Sequence, residues 1–432
     1  MRLSRYLMVY PPTAGEPGLH LLYSTWHGAA VLIGENALNS AREGRLSGPE
    51  AETLARLGIL VPDPEAEREE MLGLFVAANL GRRLFQGMVV LNLDCNLACP
   101  YCYEGDFRRG QYMSADTAKG VIETVRSGQI HKGRDVVITF YGGEPLLSVP
   151  MIREIAGRLK DEAAARGTGF AFNLVTNGTL LSRPVADELV PLGLNGAKIT
   201  LDGPRESHDL SRPFLSGRGS FDAVMNNVKK VCGLVPLQIG GNYTRNNYRT
   251  FPFLLDHLLA EGVTPERVKS VLFTPVVPKS GRGVVTDFNG GCALDYELWV
   301  TEAGLFLREE TLKRGFAAPR PRLFSCMVEL EGDLVINWDG SLYKCPAFMA
   351  YDELRIGSIQ SGVGDYRLSH NLDVWKTDEC LDCAYLPLCF GGCRQMTLLR
   401  SGGIDGVDCR KGYFDAALER IVRQDLEYQR GK

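Results

Sequence analysis

Met88-Val-Val-Leu-Asn-Leu-Asp-Cys95-Asn-Leu-Ala-Cys99-Pro-Tyr-Cys102 is the stretch on which the fold turns. An apolar run over 89–93 reads as a β-strand, and it leads directly into three cysteines. Their x3 and x2 spacing lets three thiolates hold three irons of one [4Fe-4S] cube. The fourth iron is then left without a protein ligand. A small molecule can chelate it and receive one electron there. The competing readings are a zinc knuckle or ordinary buried thiols. A zinc site wants a fourth ligand close by, yet the next His is His131 and the next isolated cysteine is Cys232.

Outward from this stretch the pattern becomes strand, loop, helix, repeated. Strands are predicted at 89–93, 136–141, 170–176, 197–201, 237–243 and 271–275. Between and after them lie amphipathic helical segments, such as Phe221, Val224, Met225, Val228 and Val231 on one face. Such alternation predicts an α/β fold with a parallel sheet and helices outside it. Six units are too few for a closed eight-fold barrel, so a curved, partial (β/α)6 barrel is expected over 88–318. Before it, residues 1–62 read as a small α+β domain of three short strands and two helices. A linking helix is expected over 63–87. After Ala317-Ala-Pro-Arg-Pro321 the composition shifts to a cysteine-rich domain over 319–412, and 413–432 reads as a final helix.

The 432 residues are 45% hydrophobic and 23% charged, ordinary for a soluble globular protein. A net charge of -4 offers no broad basic field, so nucleic acid is not an expected partner. No apolar run of about 18 residues is present, so no membrane span is expected. The first residues lack a signal-type apolar core, and a cytoplasmic location is expected. In such a reducing compartment, clustered cysteines among the 12 read as metal ligands rather than disulfides.

The remaining candidate motifs fall at carboxyl ends of predicted strands, where parallel αβ sheets place their ligands. Gly142-Gly143-Glu144-Pro145 follows the second strand. Its glycines allow close backbone approach, and Glu144 offers an acceptor for a cation. Thr176-Asn177-Gly178 follows the third, either reaching toward a ligand or serving the turn. Thr200-Leu-Asp202-Gly-Pro204 follows the fourth, and then His208-Asp-Leu-Ser-Arg212.

The cysteine triad, with Tyr101 beside its last member and the GGEP segment downstream, resembles the radical S-adenosylmethionine (SAM) enzymes. The resemblance implies that SAM chelates the open iron and is reduced to a 5'-deoxyadenosyl radical. It also implies that the GGEP segment receives the SAM ammonium. The TLDGP…HDLSR stretch is similar to the S-x-D-G…H-D-x-x-R segment of family members that carry extra clusters. By that likeness Thr200 contacts SAM and Arg212 binds its carboxylate, a match for the guanidinium fork.

Cys326, Gly340 and Cys345, then Cys380, Cys383, Cys389, Cys393 and Cys409, resemble the SPASM domain of peptide-modifying radical SAM enzymes. The resemblance implies two auxiliary [4Fe-4S] clusters. Cys380, Cys383, Cys389 and Cys409 would bind the outer one, and Cys326, Cys345 and Cys393 the inner one. Zinc on the C-x2-C-x5-C-x3-C run is the alternative. The fourth iron of the inner cluster is either open or closed by Cys292. An open iron could accept a substrate thiolate.

The leading expectation is a maturase of a ribosomal precursor peptide, leader plus core, supplied with electrons by a flavodoxin or ferredoxin. The chain as a whole is similar in outline to the geopeptide maturases. The N-terminal domain resembles leader-recognition domains, which capture an extended peptide on a sheet edge. The expected product is an intrapeptide thioether. The alternatives are a formylglycine-forming sulfatase maturase, against which Pro346 counts, or a non-catalytic Fe-S protein on this scaffold.

Overall fold

In the computed structural model the described residues are 1–102, 104–105, 110–277, 297–323 and 326–428. Cys292 lies outside them. Two compact units form, each discontinuous in sequence. One holds Met1–Gly81, Arg320–Glu331 and His370–Lys432; the other holds Arg82–Pro319 and Gly332–Ser369. A boundary between units falls at Pro319/Arg320, beside the division expected at 318, while the divisions expected at 62 and 412 fall inside the first unit.

In the first unit, β1 (Arg2–Leu3) precedes an antiparallel meander of β2 (Leu7–Tyr10), β3 (Leu19–Ser24) and β4 (Ala30–Gly34). Helices Glu35–Arg42 and Gly48–Arg56 follow, and β5 (Leu60–Val61) returns to pair with β1. The central strand β3 is buried on both faces. Leu22 packs with Leu38, Ala41, Leu54 and Ile59. Leu21 and Tyr23 point the other way and pack with Tyr385, Leu388, Phe414, Leu418 and Val422. The N-terminal meander therefore shares a core with the distant cysteine-rich segment and with helix Lys411–Tyr428. Helix Pro64–Gly81 adds Met71 and Phe75 to another core containing Tyr6, Trp375, Leu381, Leu386 and Phe390.

The second unit is built on β6 (Leu84–Val90), β7 (Asp135–Tyr141), β8 (Phe170–Thr176), β9 (Leu194–Thr200), β10 (Leu237–Tyr243) and β11 (Val268–Pro275). They are parallel and lie side by side in sequence order. Right-handed crossovers between strands in consecutive order put all connecting helices on one face. Burial follows that rule. Val136, Ile138, Phe140, Phe172, Leu174, Ala197, Ile199 and Ile239 are buried, while most residues alternating with them are half-exposed.

Beyond β6 the sheet continues. β12 (Leu334–Ile336) pairs in parallel with β6, and β13 (Ser341–Tyr343), β14 (Gly357–Ser358) and β15 (Gly362–Val363) add antiparallel. All four fall within residues 319–412, where a separate cysteine-rich domain was expected. They extend the parallel sheet instead. Asp333, at the head of β12, pairs with Arg82 (2.7 Å) and accepts from Gln86 N (3.3 Å), fixing that junction.

Candidate active site

The cysteine loop leaves β6 and is gripped by the turn after β7. Gly143 N donates to Asn92 O (3.1 Å) and Glu144 N to Asp94 O (2.8 Å). Asn92 Nδ2 donates back to Glu144 O (3.1 Å) and to Ser148 Oγ (2.8 Å). The backbones come so close that side chains are excluded. A Cβ on Gly142, whose φ is 141°, would stand 2.2 Å from Asn92 O; one on Gly143 would stand 2.3 Å from Asp94 O. The close approach expected of these glycines is thus made by the cluster loop itself. Pro145 opens the short helical turn Pro145–Ser148.

Glu144 is fully buried. Its Oε1 accepts from Thr176 Oγ1 (2.7 Å) and Leu146 N (3.0 Å), and its Oε2 from Asn177 N (2.8 Å). Burial pushes its pKa up, and these donors oppose the shift. The carboxylate thereby ties the turn after β7 to the turn after β8. Asn177 extends the tie to the cysteine loop. Its Nδ2 donates to Asn96 Oδ1 (2.8 Å) and to Cys95 Sγ (3.6 Å), and Leu97 N also donates to Cys95 Sγ (3.4 Å).

A second network centres on the Tyr101 hydroxyl. It donates to Asp202 Oδ2 and accepts from Arg212 Nη1 (2.6 Å) and Asn242 Nδ2 (3.2 Å). Asn242 N donates to Asp202 Oδ1 (2.7 Å), and Arg212 stands 3.8 Å from Asp202. Asn242 was not foreseen from the sequence. The available signal was a polar residue next to the carboxyl end of β10. Burial pushes the Tyr101 pKa well up, so the ring stays neutral. Burial also opposes the Arg212 charge, but Tyr101, Cys99 and Asp202 outweigh it and keep the guanidinium protonated.

His208 serves this network structurally. Its Nδ1 accepts from Asp202 N (3.2 Å), and its Nε2 faces Ser220 Oγ (2.9 Å), which donates to Arg212 O (2.6 Å). Thr200 lies on the half-exposed face at the end of β9.

Two observations test whether a cluster and SAM fit these residues. Arg212 is nine-tenths buried, yet among the described residues its Nε has no hydrogen-bond partner. That is a donor suited to an anion such as a carboxylate. Cys95 Sγ receives two N–H donors, which suits a thiolate. The Cys99 thiol, pushed up to about 11 by burial, has the Arg212 cation working against that shift. Among the described residues no three His, Cys, Asp or Glu side chains converge as ligands of one ion must. A cube places each thiolate on a different iron and needs no such convergence.

In the first unit, Cys389, Phe390, Gly391, Gly392 and Cys393 form a tight loop. Phe390 (φ 42°), Gly391 (80°) and Gly392 (74°) are successively left-handed. A Cβ on Gly392 would meet Asp408 O at 2.2 Å, so the segment before Cys409 lies hard against this loop. Asp408 Oδ2 accepts from Cys393 N (3.0 Å). Burial raises the Cys383 thiol, with Cys409 and Cys380 adding to it. Cys389 is likewise raised by burial, and Cys409 adds to that. Cys393 is raised by burial with Cys326 adding. Cys380 and Cys409 thus lie close enough to Cys383 to act on its charge, as Cys409 does on Cys389 and Cys326 on Cys393. Cys345 belongs to the other unit.

Residues 89–244 match the radical SAM superfamily, and the chain carries a radical SAM domain. That domain implies SAM and a [4Fe-4S] cluster as cofactors. The cysteine-type anaerobic sulfatase-maturating enzyme of Clostridium novyi is 23% identical over 373 residues, covering 78% of this chain and 96% of that enzyme. Among solved structures, anSMEcpe with bound AdoMet and the Kp18Cys peptide has a TM-score of 0.59 at 20% identity, covering 79% of this chain and 99% of that one. Streptococcus suis SuiB bound to its precursor peptide SuiA has a TM-score of 0.54 at 14% identity, covering 94% and 98%. The chain therefore shares the fold of these two structures. Among the described residues no helix is long and apolar enough to cross a membrane.

Proposed function

We propose that this chain is a radical SAM maturase that modifies a ribosomally made precursor peptide. The observation that carries the reading is the buried Arg212, held by Tyr101 and Asp202 beside Cys99, with one donor left over. Cys95, Cys99 and Cys102 would hold the cluster, and Arg212 would take the SAM carboxylate. When bound, the cluster and SAM supply the 5'-deoxyadenosyl radical that abstracts hydrogen. Thr200, at the end of β9, would contact SAM. Tyr101, Asp202 and Asn242 orient Arg212, and Glu144 and Asn177 fix the loops around it. We take β6–β11 as a partial (β/α)6 barrel whose helix-free face receives the peptide.

Cys380, Cys383, Cys389 and Cys409 would hold one auxiliary cluster. Cys326, Cys345 and Cys393 would hold the other, with Cys292 the rival fourth ligand. With three assigned thiolates the latter could take a peptide thiolate, which favours a thioether product. The likeness to SuiB extends over nearly the whole chain, which supports a precursor peptide as partner. The β2–β3–β4 meander offers sheet edges for its leader. A flavodoxin or ferredoxin would donate electrons.

A second reading, formylglycine formation, is favoured by the similarity spanning 96% of the Clostridium novyi enzyme. One experiment separates the two. The anaerobically reconstituted protein is incubated with SAM, a reductant and candidate peptides, and products are alkylated and read by tandem mass spectrometry. A loss of 2 Da with the Cys no longer alkylatable supports the thioether. A Cys or Ser converted to formylglycine supports the second reading. No 5'-deoxyadenosine from SAM under reduction overturns both.

A further inference from the structure

The helix-free face of β6–β11 is lined by neutral side chains, with one internal exception. Its polar members include Thr139, Asn173, Gln238, Asn242 and Thr274. Asp135 falls on the same face only at the exposed start of β7, where its Oδ1 accepts from Gly169 N (2.6 Å). The exception is Lys198. It lies in mid-β9, paired in register with Val175 of β8 and Gln238 of β10. Strand alternation puts it on the same face as Thr200, one step deeper from the carboxyl end.

Among the described residues, Lys198 makes no hydrogen bond and no ion pair. Burial lowers its pKa, and no neighbouring charge contributes to or offsets that shift. A half-buried ammonium without a partner is unfavourable for folding, so packing does not account for this choice. The neighbouring strand makes room for it. A Cβ on Gly240 would stand 3.0 Å from Lys198 Cε. Gly240 does not have a positive φ, so the backbone does not demand a glycine there. Its lack of a side chain serves the lysine stem instead.

We propose that Lys198 is a specificity-determining residue that pairs with a carboxylate of the peptide substrate, an Asp or Glu side chain or the C-terminal carboxylate, close to the residue that is modified. The proposal rests on the peptide-maturase reading and names a feature of its substrate. An ammonium on a neutral wall, one step from the SAM-contacting Thr200, selects an anion at a defined depth. Within the strands, the internal residues of the face around it carry no competing charge.

The test uses the full chain, reconstituted anaerobically and loaded with SAM. It is presented with synthetic Cys-containing dodecapeptide libraries whose other positions vary, with free or amidated C-termini. Retained peptides are sequenced by mass spectrometry. The wild type should enrich acidic residues, or the free C-terminus, about ten-fold at one position relative to Cys. Lys198→Met should lose that preference, Lys198→Arg should keep most of it, and Lys198→Glu should turn it toward Lys or Arg. Iron content and thermal melting check that each variant is folded.

Retention without acidic preference, or a preference unchanged in Lys198→Met, overturns the assignment of Lys198 alone. Loss of SAM affinity in Lys198→Met also overturns it, by placing the ammonium in the SAM pocket. Failure of the wild type to retain any peptide overturns the maturase reading and the proposal with it.

Discussion

Replacing Glu144 by Gln changes a single atom's chemistry at the most constrained point of the site. All three groups aimed at its carboxylate are donors: Leu146 N, Asn177 N and the Thr176 hydroxyl. Thr176 Oγ1 already accepts from Gly178 N (3.0 Å), so its proton is committed to Glu144. A Gln must present NH2 on one side. On the Oε2 side it meets Asn177 N–H, and on the Oε1 side it meets Leu146 N–H. Either way one buried backbone N–H loses its acceptor. A hydrogen bond to a charged group contributes ~1.5–3 kcal/mol, and a stranded donor costs ~1–3 kcal/mol, so E144Q should destabilise by about 2–4 kcal/mol. E144A strands all three donors and should cost about 4–6 kcal/mol, after relief of carboxylate desolvation is allowed for. The assay is anaerobic urea unfolding without SAM, followed by the visible absorbance of the cluster. With a slope of roughly 3 kcal/mol per molar, E144Q should lower the midpoint by about 1 M. An unchanged midpoint in E144Q, together with weakened SAM binding, would refute this reasoning and return the carboxylate to direct ligand contact.

Tyr101→Phe deletes the hydroxyl shared by Asp202, Arg212 and Asn242; SAM affinity by anaerobic equilibrium dialysis should fall about ten-fold while iron content holds. Gly143→Ala forces a Cβ into Asp94 O and should displace the cysteine loop, lowering reconstituted iron by about four atoms per chain, as Cys95→Ala with Cys99→Ala and Cys102→Ala should. Colorimetric iron determination checks both. His208 is held down to about 3 by burial, with the Arg212 charge adding. Because its folded pKa lies below its unfolded one, its contribution to stability is complete above about pH 6.5. That contribution is lost as pH falls toward 3, by up to ~1.4 kcal/mol per pH unit. Acid unfolding followed by circular dichroism should therefore show a shallower slope in His208→Gln.

Much of the second unit was legible because its strands have strong local signals. Phe170–Thr176 and Leu237–Tyr243 fall where apolar, β-branched runs predicted them, and the helix at Phe221–Val231 follows its i, i+3, i+4 face. The motifs were found at strand ends for the same reason. What was not legible depends on contacts distant in sequence. Leu334–Ile336 reads as a short isolated strand, and only its pairing with Leu84–Val90 shows that it extends the parallel sheet. Asn242 carries no motif of its own; its role appears when Tyr101, well over a hundred residues earlier, stands opposite. Glu144 was legible as an acceptor. The sequence could not tell that protein donors already occupy three of its sites.

The two-faced burial of β3 carries a consequence for biosynthesis. Leu22 finds its partners within the first sixty residues, but Leu21 and Tyr23 must wait for Phe414, Leu418 and Val422. A ribosome adding ~5–20 residues per second leaves that apolar stripe uncovered for roughly twenty seconds or more. Throughout that interval the meander carries an exposed apolar stripe of the kind that makes folding intermediates aggregation-prone. The last helix, once released, closes it. Because Cys383 and Cys389 pack against the same core, metal loading there and burial of the first strands should be completed as one late event.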